Sequence, residues 1–280
     1  MTTTEFRSTP ADEARRGHDA ALSALRAAVL RSAELWRRTD AHAPVPGLTW
    51  TAAETAAHVV GDLRDETDVL AGGARTHVVA GTGSPSKRSA AVNAQHLVMV
   101  RERDMRRLAD MLEEQAARYL DVARAADDTS EITIANGLTM TTPILTRVLL
   151  GEQLLHGLDV ARAAHEPWSI SRVDALLVVP AIMALTPHYL HPARSANVNV
   201  SYELRFRGGG RYRLAVRDGT ADITAAGEKS DCVITADPVA FLQLGYGRIP
   251  QWRPIIGGKM TAGGRKPWLA IKFGTLISSP

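Results

Sequence analysis

Apolar residues recur every three or four positions along the first two thirds of the chain, and near residue 195 that period gives way to strict alternation. A helix returns to the same face every 3.6 residues and a strand every two, so the chain is constrained to a helical part followed by a part built on a sheet. Within Asp12 to Asp40, Ala20, Leu22, Leu25, Val29 and Leu35 keep helical spacing until Pro44, Pro46 and Gly47. Thr51 stands three residues before Glu54, a capping-box spacing, and the following run from Ala52 to Leu70 reads as a second helix ended by Gly72 and Gly73. Residues 72 to 88 are rich in Gly, Ser and Pro and read as a loop, whereas Ser89 to Ala126, with Leu97, Val100, Met105, Leu108 and Leu112, reads as one long third helix. A short β-like stretch from Glu131 to Met140 precedes a fourth helix, with Thr142 as N-cap and Pro143 in the first turn, running to about Ala164. Ser171 to Leu190 makes a fifth, interrupted or shortened by Pro180 and Pro187.

Past Ser195, Val198, Val200, Tyr202, Leu204 and Phe206 alternate, Gly208 to Gly210 turn the chain, and Tyr212, Leu214 and Val216 alternate back. This is a β-hairpin with one apolar face. Arg205, Arg207, Arg211, Arg213 and Arg217 share the other parity and form a basic stripe, read as a solvated face or as a cover for an anionic cofactor. Strands around Asp222 to Ala225 and Cys232 to Ala236, a helix from Pro238 and another near the C-terminus complete the pattern. The fold class is therefore α plus α+β, with a helical unit over residues 10–194 and a small α+β unit over residues 195–280.

Charge follows the same division. Residues 1–194 carry 21 Lys and Arg against 24 Asp and Glu, while residues 195–280 carry 12 against 6. Units of opposite net charge are expected to dock, with the basic hairpin facing the helices. Aromatics are only 5% of the chain and no basic run is interleaved with them, so nucleic acid is not an expected partner. The longest apolar run, Ala175 to Leu185, is far short of the roughly 18 to 20 residues that span a bilayer. Neither a membrane partner nor a secretory signal is expected, and Cys232 as the sole cysteine fits a cytoplasmic protein whose thiol fills a core site. The expected state is a monomer or homodimer.

Without cysteine clusters, a metal must be held by nitrogen and oxygen. Glu152 and His156 in GEQLLHGLDVARA lie four residues apart, one turn along the same helix face, where carboxylate and imidazole converge. His58, on the second helix, is a candidate third ligand from a facing helix. Two imidazoles and a carboxylate suit zinc, nickel or iron(II) and do not discriminate among them; a divalent metal, zinc first, is the expected cofactor. Asp159 and Asp62, three and four residues past the two histidines, are candidates to orient the imidazoles. On spacing alone, an ExxxH pair is more often a hydrogen bond on a helix surface, and the two aspartates read equally as solvated partners of Arg162 and Arg64.

The string PGLTWTAAETAAHVVGDL, with Pro46, Gly47 and Trp50 ahead of His58, and the later Glu152, His156, Gly157 and Asp159 resemble the mycothiol-dependent maleylpyruvate isomerase family, a branch of the DinB/YfiT-like metalloproteins. The resemblance covers roughly residues 10 to 190 and implies a DinB-like four-helix bundle in which His58, Glu152 and His156 bind a divalent metal. CVITADPVAFLQLGYGR and GGKMTAGG are similar to the sterol-carrier-like domain that such enzymes append. It implies mycothiol as thiol cofactor or co-substrate, with the metal-bound thiolate as nucleophile and no protein nucleophile. Addition, rotation and release would isomerise a maleylpyruvate-like substrate; retention on an electrophile would be S-transfer. A dicarboxylate substrate would need cationic clamps, for which Arg88, at the start of the third helix, is the first candidate and Arg75 the second, although both also read as ordinary exposed arginines. The alternative is a non-catalytic lipid or small-molecule binding module.

Overall fold

The computed structural model describes residues 9–73 and 83–278. Helices come first: α1 (Pro10–Trp36), α2 (Ala52–Leu70), α3 (Pro85–Met99) and α4 (Met105–Ala125), then the small hairpin β1 (Glu131–Thr133) and β2 (Thr139–Thr141), then α5 (Thr142–Ala163), α6 (Arg172–Leu185) and α7 (Pro192–Ser195). α1, α2, α4 and α5 make the bundle, with α1 and α2 each lying against both α4 and α5. Leu25, Trp36, Leu108, Leu112, Tyr119, Leu145, Leu150 and Leu154 are fully buried in its core. Each leucine removed from water there contributes roughly 1.5–3 kcal/mol, which is what orders helices whose exposed faces are polar.

Local chemistry sets the helix ends. The Thr51–Glu54 capping box forms: Glu54 Oε2 accepts from the Thr51 backbone N–H at 2.8 Å, and Thr51 Oγ1 accepts from the Glu54 N–H at 3.2 Å. The single long helix expected over 89–126 is instead two. Glu102 Oε1 accepts from the N–H groups of Arg103 and Asp104, and Asp104 Oδ1 then caps α4 by accepting from those of Arg106 and Arg107 at 3.0 Å. Side chains that bond their own backbone compete with the helical ladder, and here they win. The turn at Pro143 lies one residue off the expected cap, since Thr141 precedes the helix and Thr142 is its first residue. α6 runs through Pro180 and closes in a tight 3-10 turn over Thr186–Tyr189.

The remaining chain forms β3 (Asn199–Phe206), β4 (Arg211–Arg217), β5 (Thr220–Ala225), β6 (Cys232–Ala236), α8 (Pro238–Gly245), α9 (Trp252–Ile256), β7 (Met260–Gly263) and α10 (Ala270–Leu276). Sheet order is β5-β4-β3-β6-β7, with β3 and β6 parallel and the other neighbours antiparallel. β7 was not expected, because four residues ending in glycine carry no readable alternation.

The side of the sheet that meets the helices is the reverse of the charge-based expectation. Val200, Tyr202, Leu204 and Phe206 join Val179 and Met183 of α6, Phe241 of α8 and Phe273 of α10 in one apolar cluster. α6 also gives Ala175 and Val178 to the bundle core, so it is shared by both. The arginine stripe points away: Glu203 lies at its centre and accepts from Arg205 Nε at 2.9 Å and Arg211 Nε at 2.8 Å, while Arg213 pairs with Glu228 at 3.3 Å. Burying an apolar face is favourable and burying five guanidinium groups is costly, so the hairpin docks by its apolar side. No helix among the described residues is long and apolar enough to cross a membrane.

Candidate metal centre

His58 comes from the middle of α2, and Glu152 and His156 from the facing α5. One ligand atom from each lies within 4.8 Å of the other two. Glu152 Oε2 is 3.2 Å from His156 Nε2, and the His58 and His156 rings are 5.0 Å apart between centroids. The two histidines are buried, the Glu152 side chain keeps 23% of its surface, and all three line a cavity of about 470 Å³. That cavity is walled by α2, α3 and α5 and, from the sheet part, by Phe241, Tyr246, Arg248 and Phe273.

Both histidines have a partner behind the ring. His156 Nδ1 lies 3.1 Å from Asp159 Oδ2, the arrangement its spacing suggested. Burial alone would push the His156 imidazolium down, but hydrogen bonds to Asp159 and Glu152 outweigh it and raise the group to about 9. In the metal-free protein a proton thus supplies the positive charge that this cluster of acceptors demands. His58 behaves oppositely, since burial, with His156, His96 and Arg248 nearby, holds it well below the usual imidazole range and hence neutral, the state a ligand needs.

Asp62 does not orient His58. The Nδ1 of His58 instead lies 3.1 Å from Nδ1 of His96 on α3, which leaves Nε2 as the nitrogen available to a cation. His96 is 1% exposed, with its own Nε2 3.8 Å from Asp65 Oδ2. α3 can come this close because position 61 is glycine: a Cβ there would stand 2.7 Å from the His96 Cβ. Asp62 lines the cavity, and burial, reinforced by Glu152 and Asp65 against the opposing pull of His96 and His156, raises its carboxyl to about 7. Arg88 is not among the described lining residues. Its Nε donates to the Asn136 carbonyl at 2.7 Å and its Nη1 to the Gly83 carbonyl at 2.8 Å, so it fastens the loop before α3 to the β1–β2 turn. Arg75 lies outside the described residues.

The cation that does reach the site comes from the sheet part. Arg248 donates from Nη2 to Asp159 Oδ2 at 2.6 Å and from Nε to Asp159 Oδ1 at 3.0 Å. Sequence spacing could not find Arg248 or His96, which lie 89 residues from Asp159 and 38 from His58, respectively. Two imidazoles, one neutral and one braced by an ionised aspartate, plus a carboxylate are a donor set that fits a divalent cation, and three protein ligands leave a coordination position open.

No family profile matches the sequence, and no curated protein does. Among solved structures, that of a mycothiol-dependent maleylpyruvate isomerase superposes with a TM-score of 0.54 at 13% identity, covering 88% of this chain and 92% of that one. A mutant of a mycothiol-dependent maleylpyruvate isomerase gives 0.52 at the same identity and coverage. The chain therefore shares that fold. A UbiJ-SCP2 ubiquinone synthesis protein aligns over 36% of this chain and 88% of its own at 19% identity, and its TM-score of 0.30 is too low to carry an argument.

Proposed function

We propose that this chain is a metal-dependent enzyme that uses mycothiol as a cofactor or co-substrate, and that His58, Glu152 and His156 hold the divalent ion. The observation that carries the reading is the three-residue cluster, braced by Asp159 and Arg248, at the wall of a cavity open to small molecules. When bound, a divalent cation with an open position favours a thiolate over a thiol and so provides a nucleophile at neutral pH. Zinc is the ion we favour, and the likeness in fold to an isomerase whose name carries the thiol supports the cofactor.

The chain's own residues bind, orient and exclude water. Glu152, half-buried, and the two buried histidines present their ligand atoms to the cavity that a small molecule would occupy. Apolar walls from Leu145, Leu149, Phe241 and Phe273 keep water from the reacting atoms, where electrostatic effects are stronger for it. Cys232 is fully buried on β6 in the sheet core and has no access to the cavity, which accords with an external thiol as nucleophile. S-transfer to an electrophile accords better with the cavity than isomerisation of a dicarboxylate, since no described lining arginine is left to clamp two carboxylates. We place residues 195–280 as a sterol-carrier-like unit that closes the cavity and the protein as cytoplasmic.

The test is elemental analysis of the purified protein together with turnover of an electrophile such as monobromobimane. About one metal per chain and thiol consumption that needs both metal and mycothiol are expected. Metal content unchanged in His58→Ala and His156→Ala, or turnover indifferent to mycothiol, would overturn the reading.

A further inference from the structure

We propose that the face of the sheet part built from α9 and α10 docks on an anionic lipid surface. Eight large apolar side chains are exposed among the described residues, and five of them, Trp252, Ile255, Ile256, Trp268 and Ile271, come from these two helices and the 3-10 turn over Pro267–Leu269. In α9 the three apolar residues sit at i, i+3 and i+4, so they share one helix face, while Pro254 is the residue turned inward. The inner face of α10 is already taken by Phe273 and Leu276, which leaves Ile271 and Lys272 exposed. Gln251 Nε2, at the start of α9, donates to the carbonyl of Ala270, the first residue of α10, at 3.2 Å. Trp252 and Ile271 each follow one member of that bonded pair, so the two apolar groups belong to adjoining elements.

Charge says what covers them. Residues 238–280 hold six Lys and Arg and no Asp or Glu. Asp159 engages Arg248, and Asp231 engages Arg265 and Lys266, whereas Arg253, Lys259 and Lys272 are exposed in the same segments as the apolar residues. Tryptophan and isoleucine interspersed with cations suit the headgroup layer of an anionic bilayer, where ring and aliphatic chain leave water and the cations meet lipid phosphate. A second copy is the poorer occupant, because a self-complementary contact would press these cations against their equals. Ile256 and Ile271 stand 79% and 70% exposed, and a fluid surface takes such side chains without the matching pocket that a protein partner would have to supply. Docking on a surface needs no spanning helix, which is all that the short apolar runs excluded.

The test is co-sedimentation of the full chain with vesicles of phosphatidylcholine alone and of phosphatidylcholine mixed with phosphatidylglycerol, at low and at high salt. Binding to the mixed vesicles, lost at high salt, is expected, because each cation near an anionic surface adds about fivefold to partitioning. Lys259→Glu/Lys272→Glu and Ile256→Ser/Ile271→Ser should each weaken it about tenfold or more. All four side chains are exposed, so melting temperatures should stay near that of the wild type. Equal binding of the wild type to both kinds of vesicle, binding to neither, or undiminished binding in either variant overturns the proposal. A wild-type dimer that Ile256→Ser/Ile271→Ser turns into a monomer assigns the face to a second copy and overturns it as well. Retention on immobilised polyglutamate without binding to the mixed vesicles does the same, and assigns the face to an acidic protein.

Discussion

Arg248 and His156 meet on one carboxylate: Asp159 Oδ2 lies 2.6 Å from the arginine Nη2 and 3.1 Å from the histidine Nδ1. A side chain just past α8 thereby fixes the ring of a proposed metal ligand on α5, and the sheet part becomes a component of the centre.

Removing Arg248 should loosen the metal. Arg248→Met leaves Asp159, whose side chain is 1% exposed, without its guanidinium partner, and partners that orient metal-bound imidazoles are typically worth 10–100-fold in affinity. We expect about a tenfold weaker metal affinity in Arg248→Met and in Asp159→Asn, measured by competition with a chelating dye. The double variant should lose little more, because the two act through one contact.

Metal uptake should release a proton. His156 titrates at about 9 in the metal-free protein and must be neutral to ligate. Apparent affinity should therefore climb with pH up to about 9 and then level, and calorimetry in buffers of different ionisation heat should find about one proton released per ion at pH 7.5. The sign for stability is opposite. A histidine raised from about 6.5 to 9 by folding stabilises fully below 6.5, so the melting temperature of the metal-free protein should receive a falling contribution from this group between pH 6.5 and 9.

Gly61→Ala should act on the centre through His96. The new Cβ would lie 2.7 Å from the His96 Cβ and 3.2 Å from its Cα, so α3 must move. Overpacking of this kind costs about 1–3 kcal/mol. Chemical denaturation should show that loss, accompanied by weaker metal binding, whereas Gly47→Ala, where no atom lies within 4 Å of the added Cβ but φ is +87°, should lower stability and leave metal binding alone.

Cys232→Ser should leave thiol-dependent turnover and metal content unchanged. Cys232 is fully buried on β6 opposite Tyr202 of β3, and burial pushes its thiol up, away from a reactive thiolate. A hydroxyl in that apolar place should lower stability by about 1–3 kcal/mol, read by thermal melting.

The pairing of Glu152 with His156, the Thr51–Glu54 cap and the in-and-out pattern of the β3–β4 hairpin were legible in the sequence, because each depends on residues within a few positions whose mutual geometry a helix or strand fixes. The same locality explains why Asp159 was found as the partner of His156. The break between α3 and α4 escaped because Glu102 and Asp104 look like ordinary helix-surface acids until they bond their own backbone. Charge totals misdirected the docking of the hairpin: they count arginines without showing that Glu203 already faces them and that α6 offers an apolar face. Only the tertiary structure decided which distant groups meet: His96 behind His58, Arg248 behind Asp159, and Arg88 outside the cavity. Sequence fixes what one element presents along its own face, but contacts between elements 38 to 89 residues apart depend on how close neighbours can approach, as the bare glycine at position 61 allows His96 to do.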